Sequence, residues 1–172
     1  MLRIAGIIRE SIVDGPGLRF VVFTQGCPHH CEGCHNPITH DPKGGYEIEV
    51  ERILEEFHKN PLLKGITISG GEPFLQAREL IPLVKNIKEE RKLLRDVTIY
   101  TGYTLSCLKS MNDPAVNELL AYCDILIDGP FILSERDLTL TFKGSRNQRI
   151  IDMNKTRSTG EIVLYEVNRN EQ

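Results

Sequence analysis

The sequence predicts an α/β fold: a parallel sheet wired in the manner of a barrel but too short to close one. Three observations lead there. From residue 20 to residue 127, short β-branched runs alternate with amphipathic stretches, the pattern of βαβ units. Clusters rich in glycine, cysteine and acidic residues follow directly on several of those runs, and functional residues just past strand ends are the barrel habit. The chain has 172 residues, whereas a closed eight-fold barrel takes about 250 and typically at least about 200.

Taken in order, residues 2–8 and 18–24 are short apolar runs and read as strands. The turn-rich Asp14-Gly15-Pro16-Gly17 parts them. Val50, Ile53, Leu54 and Phe57 recur at i, i+3, i+4, i+7 and mark a helix. Residues 65–69 alternate as a strand does. Leu80, Leu83, Val84 and Ile87 give a second helix, with Pro82 expected in its first turn, where a missing N–H costs little. A strand at 97–100 follows, then helices at 105–111 and 115–122 parted by Asn112-Asp113-Pro114, then a strand at 123–127. From Thr139 onward the pattern turns to short strands and polar turns. That segment is expected to be an appendage closing one edge, with a frayed tail at 168–172. One domain, 1–172, is expected, its core at about 1–130 and its appendage at about 131–172.

Composition narrows the function classes. A hydrophobic fraction of 40% and a charged fraction of 26% fit a soluble globular chain. A net charge of −3 sets up no field that draws nucleic acid. No run is long and apolar enough for a membrane span or signal peptide. Five cysteines, three of them in one loop, read as metal chemistry in the cytoplasm rather than as a disulfide framework.

Those three are Cys27, Cys31 and Cys34, spaced C-x3-C-x2-C in Gly26-Cys27-Pro28-His29-His30-Cys31-Glu32-Gly33-Cys34-His35-Asn36. Thiolates hold iron–sulfur clusters or zinc. A cubane cluster takes four, so three would leave one iron open, the mark of a catalytic rather than a closed site. The other reading is a structural zinc site with His29, His30 or His35 as the fourth ligand. Zinc motifs usually carry a second ligand pair, and none follows: His40 and His58 are single, Cys107 and Cys123 distant.

Ser69-Gly70-Gly71-Glu72-Pro73 follows a strand. Its glycines let backbone approach a ligand, and Glu72 can accept from an ammonium; an ordinary strand-to-helix turn is the alternative. Gly-Lys-Ser/Thr is missing, which excludes a phosphate loop. Tyr100-Thr101-Gly102-Tyr103-Thr104 also ends a strand, its tyrosines equally readable as packing. Asp128 ends the next, as a ligand-facing group or a turn cap. Arg19 reads as a surface salt bridge, or as a contact to a carboxylate or to the partner chain, and Cys107 and Cys123 as buried core cysteines. The basic segment Lys143 to Arg157 lacks the interleaved aromatics of a nucleic-acid surface.

The cysteine spacing is that of the radical S-adenosylmethionine (SAM) enzymes. More narrowly, the chain resembles the activating enzymes of anaerobic ribonucleoside-triphosphate reductase. The resemblance runs through Asp14-Gly15-Pro16-Gly17-Leu18-Arg19, the cysteine loop, Ser69 to Pro73, Tyr100 to Thr104, Asp128-Gly129-Pro130-Phe131 and Gly144-Ser145-Arg146-Asn147-Gln148-Arg149. It implies a partial, laterally open (β/α) barrel with a small C-terminal appendage. It implies a [4Fe-4S] cluster on Cys27, Cys31 and Cys34 that cleaves SAM to a 5′-deoxyadenosyl radical. Gly70, Gly71 and Glu72 match the motif that holds the methionyl amine. Thr101 and Gly102 fall to the ribose or the carboxylate, and Asp128 to SAM. The radical would take hydrogen from a glycine of the large reductase subunit, with a donor such as flavodoxin supplying electrons. Asn147-Gln148-Arg149 would serve docking or the site edge. A pyruvate formate-lyase activase is the runner-up, but those relatives tend to carry Asp-x-Lys where this chain has Asp128-Gly129-Pro130.

Overall fold

The computed structural model describes residues 1–168. Seven strands form one open sheet: β1 (Leu2–Ser11), β2 (Arg19–Thr24), β3 (Tyr46–Ile48), β4 (Gly65–Gly70), β5 (Asp96–Tyr100), β6 (Ile125–Asp128) and β7 (Arg149–Asp152). Their order is β3-β1-β2-β4-β5-β6-β7. The middle four, β2, β4, β5 and β6, are parallel. β1 and β3 on one side and β7 on the other run antiparallel to their neighbours. Among the described residues the outer strands do not pair with each other, so the sheet is open and no closed barrel forms.

The helices are α1 (Val50–His58), α2 (Ala77–Glu89), α3 (Leu105–Ser110), α4 (Pro114–Tyr122) and α5 (Met153–Thr159). The apolar stripes of α1 to α4 enter one cluster with Phe20, Val22, Ile66, Ile68, Val97, Ile99 and Leu126. In a strand, alternate side chains face opposite sides, so these helices all cover one face of the sheet. The other face presents Phe23, Ser69 and Tyr100 to a cavity. Nearby, a smaller cluster of Ile125, Ile127, Phe142 and Ile150 fills the corner under β7. Parallel strands end together, so the turns after β2, β4, β5 and β6 meet at one rim.

Four expectations are corrected. Pro82 lies inside α2, not in its first turn, because the helix begins at Ala77. The helix bond it removes is that to the carbonyl of Arg78, an exposed residue. β3 was not foreseen: three residues are too few for a periodicity, and β3 exists because Leu2–Ile4 offer an edge. α5 stands where short strands and turns were expected. It buries only Met153 and Thr156, so it has no apolar stripe; Asp152 caps its start and Gly160, in the left-handed region, ends it. Cys107 is exposed rather than buried, whereas Cys123 is in the core. Of the tail expected to fray, residues 169–172 lie outside the described residues.

Arg19 is not a surface ion pair. It is fully buried at the start of β2. Its guanidinium donates to Thr67 Oγ1 at 2.7 Å and to the Pro16 and Ile66 carbonyls at 2.9 Å, and meets Asp96 at 2.5 Å. This ties the Asp14-Gly15-Pro16-Gly17 turn to the N-terminal ends of β4 and β5. Arg19→Met keeps the bulk but strands Asp96, which is 23% exposed. The expected loss is about 3 kcal/mol, the low end for breaking a buried pair, read as a lower urea midpoint at unchanged slope.

Candidate functional site

The cysteine loop leaves β2 and crosses the rim. Gly26 N–H donates to Thr39 O and Cys27 N–H to His40 O, which folds the loop back on the segment after it. Cys27, Cys31 and Cys34 line one cavity of about 440 Å3, and each is half-buried. The cavity lies within the roughly 300–1,000 Å3 of small-molecule sites. Gly70, Gly71, Thr101 and Gly102 form the wall beside them. The C-terminal segment supplies the opposite wall through Phe131, Phe142, Lys143, Gly144 and Gln148. Of the nine residues singled out by sequence, seven therefore meet on one cavity.

The donor set suits a cluster: three thiols share the cavity, and Asp14 is the one acidic residue among its described lining. Among the described residues, however, no three His, Cys, Asp or Glu side chains are already gathered as a metal site. Burial is the main cause that raises the Cys27 thiol above its ordinary value, with the nearby Glu72 carboxylate and the other two thiols adding to it. Bringing a cation there would reverse that balance by favouring thiolate.

Glu72 and Asp128 are not among the residues that line the cavity. Glu72 is fully buried. Its Oε1 accepts from Thr101 Oγ1 at 2.8 Å and from Phe74 N–H at 3.1 Å. Its Oε2 accepts from Gly102 N–H at 2.9 Å and from His29 Nε2–H at 2.6 Å. Both oxygens are thus committed to three segments of the protein itself. Two glycines make room for this. A Cβ on Gly71 would strike the Gly26 backbone, and one on Gly102 would strike the His29 ring. Asp128, 1% exposed, is taken by Arg149 in a two-pronged pair, Nε to Oδ1 at 3.0 Å and NH2 to Oδ2 at 2.6 Å, and by Leu105 N–H at 2.8 Å.

That pair docks the C-terminal wall. Gln148 continues it: its Nε2 donates to Gly129 O, and its Oε1 accepts from Gly144 and Ser145 N–H. Asn147 donates to Pro130 O at 2.7 Å. These contacts hold Asn147-Gln148-Arg149 against the turn after β6. Tyr103 packs on the His29 ring at 4.5 Å, as a packing residue would, and the Tyr100 hydroxyl donates to Phe142 O at 2.6 Å. Phe131, Phe142 and Lys143 escaped the sequence reading as wall residues. Only the Asp128-to-Phe131 and Gly144-to-Arg149 resemblance bracketed them.

A family model described as a 4Fe-4S single cluster domain matches residues 13–151. The chain is similar to the anaerobic ribonucleoside-triphosphate reductase-activating protein of Vibrio cholerae, 37% identical over 146 residues that cover 81% of this chain and 91% of the relative. The phage T4 protein of the same name is 33% identical over 145 residues, 81% and 87%. The Escherichia coli K12 protein is 31% identical over 144 residues, 80% and 90%. A solved structure, QueE from Escherichia coli, overlaps 60% of this chain and 53% of that chain with 17% identity and a TM-score of 0.48.

Two outcomes follow from the site's geometry. Glu72→Gln turns an amide toward donors that need an acceptor. It is expected to cost about 1.5–3 kcal/mol, the range of hydrogen bonds to a charged group, measured by urea unfolding. In metal-free protein, iodoacetamide is expected to label exposed Cys107 first. Cys27 should lag and accelerate only above pH 9, since its thiol is raised from 9.0. Cys123, buried with its thiol on Ile125 O, should react only after unfolding.

Proposed function

The chain belongs to the family of anaerobic ribonucleoside-triphosphate reductase-activating proteins, and on that premise we propose that it activates such a reductase by radical SAM chemistry. The observation that carries this is the meeting of Cys27, Cys31 and Cys34 with Gly70, Gly71, Thr101 and Gly102 on one cavity. Cys27, Cys31 and Cys34 would hold a [4Fe-4S] cluster. When bound and reduced, that cluster supplies the electron that splits SAM into methionine and a 5′-deoxyadenosyl radical, which takes a hydrogen atom from a glycine of the reductase. The protein's part is to bind, orient and shield.

Gly70 and Gly71 bring backbone to the methionyl end, with Glu72 fixing their turn from behind rather than touching SAM. Thr101 and Gly102 border the ribose. Asp128 acts at one remove, by anchoring Arg149 and so the far wall. We read the open sheet as a splayed partial barrel within one unit, 1–172, whose residues beyond about 130 form that wall. Val13, 71% exposed, and Leu140 stand on the cavity lining with exposed Ile12 and Leu138 close in sequence. This apolar lip is where a reductase loop would complete the enclosure, since a free radical must be kept from side reactions. A low-potential donor such as flavodoxin would provide electrons in the cytoplasm. No described helix is long and apolar enough to cross a membrane.

The test is anaerobic. With SAM, reductant and the reductase, electron paramagnetic resonance is expected to show a glycyl doublet on the reductase, and 5′-deoxyadenosine release should rise over that of the isolated protein. Cys27→Ala, Cys31→Ala and Cys34→Ala should each lose reconstituted iron and this activity; Cys107→Ala should keep both. A doublet on pyruvate formate-lyase but not on the reductase would overturn the partner. No 5′-deoxyadenosine from iron-loaded protein would overturn the chemistry.

A further inference from the structure

SAM carries one anionic group, its carboxylate, beside an ammonium and a sulfonium. A carboxylate that leaves water needs charge-assisted donors. Among the described residues that line the cavity, Lys143 is the one lysine or arginine. Arg149, close in sequence, is spent on Asp128. Resting on the SAM reading above, we infer that Lys143 is a specificity-determining residue that receives the methionyl carboxylate.

The backbone around Lys143 is built to present it. Phe142 has φ of +64°, a left-handed conformation that is a genuine outlier for a bulky residue. Such strain persists only where the surroundings over-determine it, and it gathers at ligand sites. Here the Tyr100 hydroxyl holds the Phe142 carbonyl, and the Phe142 side chain is buried with Ile125, Ile127 and Ile150. With Phe142 anchored in that cluster at the cavity's edge, Lys143 follows directly on the lining. The Lys143 ammonium donates to Gln148 O at 3.0 Å. An ammonium has three donors, so that bond fixes the head and leaves two hydrogens for a ligand. The carboxylate has two oxygens, so one can meet Lys143 whatever the other contacts. Arg19, by contrast, is fully buried in its own ion pair at the N-terminal ends of the strands and does not line the cavity.

The experiment measures binding, not turnover. Iron-loaded wild type, K143M and K143R are titrated anaerobically with SAM and with decarboxylated SAM, which lacks the carboxylate; iron content and urea midpoints are recorded for each. Wild type is expected to prefer SAM. K143M should weaken SAM by roughly ten- to hundredfold, as for one hydrogen bond to a charged group, with decarboxylated SAM unchanged, so that the preference collapses. K143R should retain most of it. K143Q is read in place of K143M if the methionine variant takes up less iron. SAM affinity unchanged in K143M overturns the inference and leaves the proposed function standing. Equal loss of both ligands also overturns it, because Lys143 would then only support the wall. An iron-loaded wild type that binds no SAM overturns the proposed function itself.

Discussion

The Glu72 carboxylate is the constraint on which the site depends. A fully buried charge costs several kcal/mol unless its acceptor sites are filled, and here four donors fill them from three separate segments. The cysteine loop contributes His29, the turn after β4 its own Phe74 N–H, and the turn after β5 Thr101 and Gly102. If any one of these drifts, a buried oxygen loses one of its two donors. Backbone bonds reinforce the same junction: Gly71 N–H on Thr24 O and Glu72 N–H on Gly26 O continue the β2–β4 ladder beyond the strands. A loop of 21 residues between β2 and β3 has little secondary structure of its own. Such loops hold a defined course only when something pins them. The carboxylate and the Gly26 and Cys27 backbone contacts are the pins.

Charged ties recur where the fold would otherwise be loose. Arg19 and Asp96 join the N-terminal ends of β2 and β5 across β4, and Asp128 with Arg149 joins β6 to β7 at the rim. The second tie differs from an ordinary surface pair. Asp128 is buried, Arg149 is partly covered, the geometry is two-pronged, and the aspartate holds the Arg149 guanidinium above its ordinary range. Such pairs specify register as well as adding stability. Register matters here because a one-residue slip of β7 would exchange its faces. Phe142 and Lys143, carried by the loop before β7, would lose their places on the wall.

What the sequence made legible follows from how far apart the informative residues are. Cys27, Cys31 and Cys34 lie within eight positions, and Gly70 and Gly71 end a strand whose alternation is plain, so their meeting at one rim was readable. The helices α1 and α2 announced themselves by apolar spacing. The surroundings of Glu72 and Asp128 were not legible for one shared reason. A carboxylate at a strand end can face a ligand or a neighbouring donor, and the choice is made by His29, Thr101 and Arg149, which approach only in three dimensions. For Arg19 a surface pair and a carboxylate contact both stayed open in the sequence, since the carboxylate it meets, Asp96, is 77 positions away. β3 and α5 were missed because edge pairing and end caps, rather than apolar period, create them. Lys143 looked like one charge in a basic run, and only the fold separates it from Arg146 and Arg149.

The opening of the sheet follows from the direction of its outer strands. A (β/α) barrel closes by adding parallel strands until first meets last. Here β1 and β7 both reverse, so the four-strand parallel core is bracketed by antiparallel edges and the β/α alternation stops on both sides. β1 is extended by β3, and the chain after β6 folds into the cavity wall instead of another βα unit. Adding strands would convert the groove into an enclosed pocket and remove the side on which Val13 and Leu140 stand exposed or half-exposed. An enzyme that acts on a small molecule gains from such enclosure. One that acts on a glycine inside another protein needs the reverse, because a polypeptide segment must enter from the side with both of its flanks still attached. Among the described residues the reversed edge strands leave that side of the sheet open.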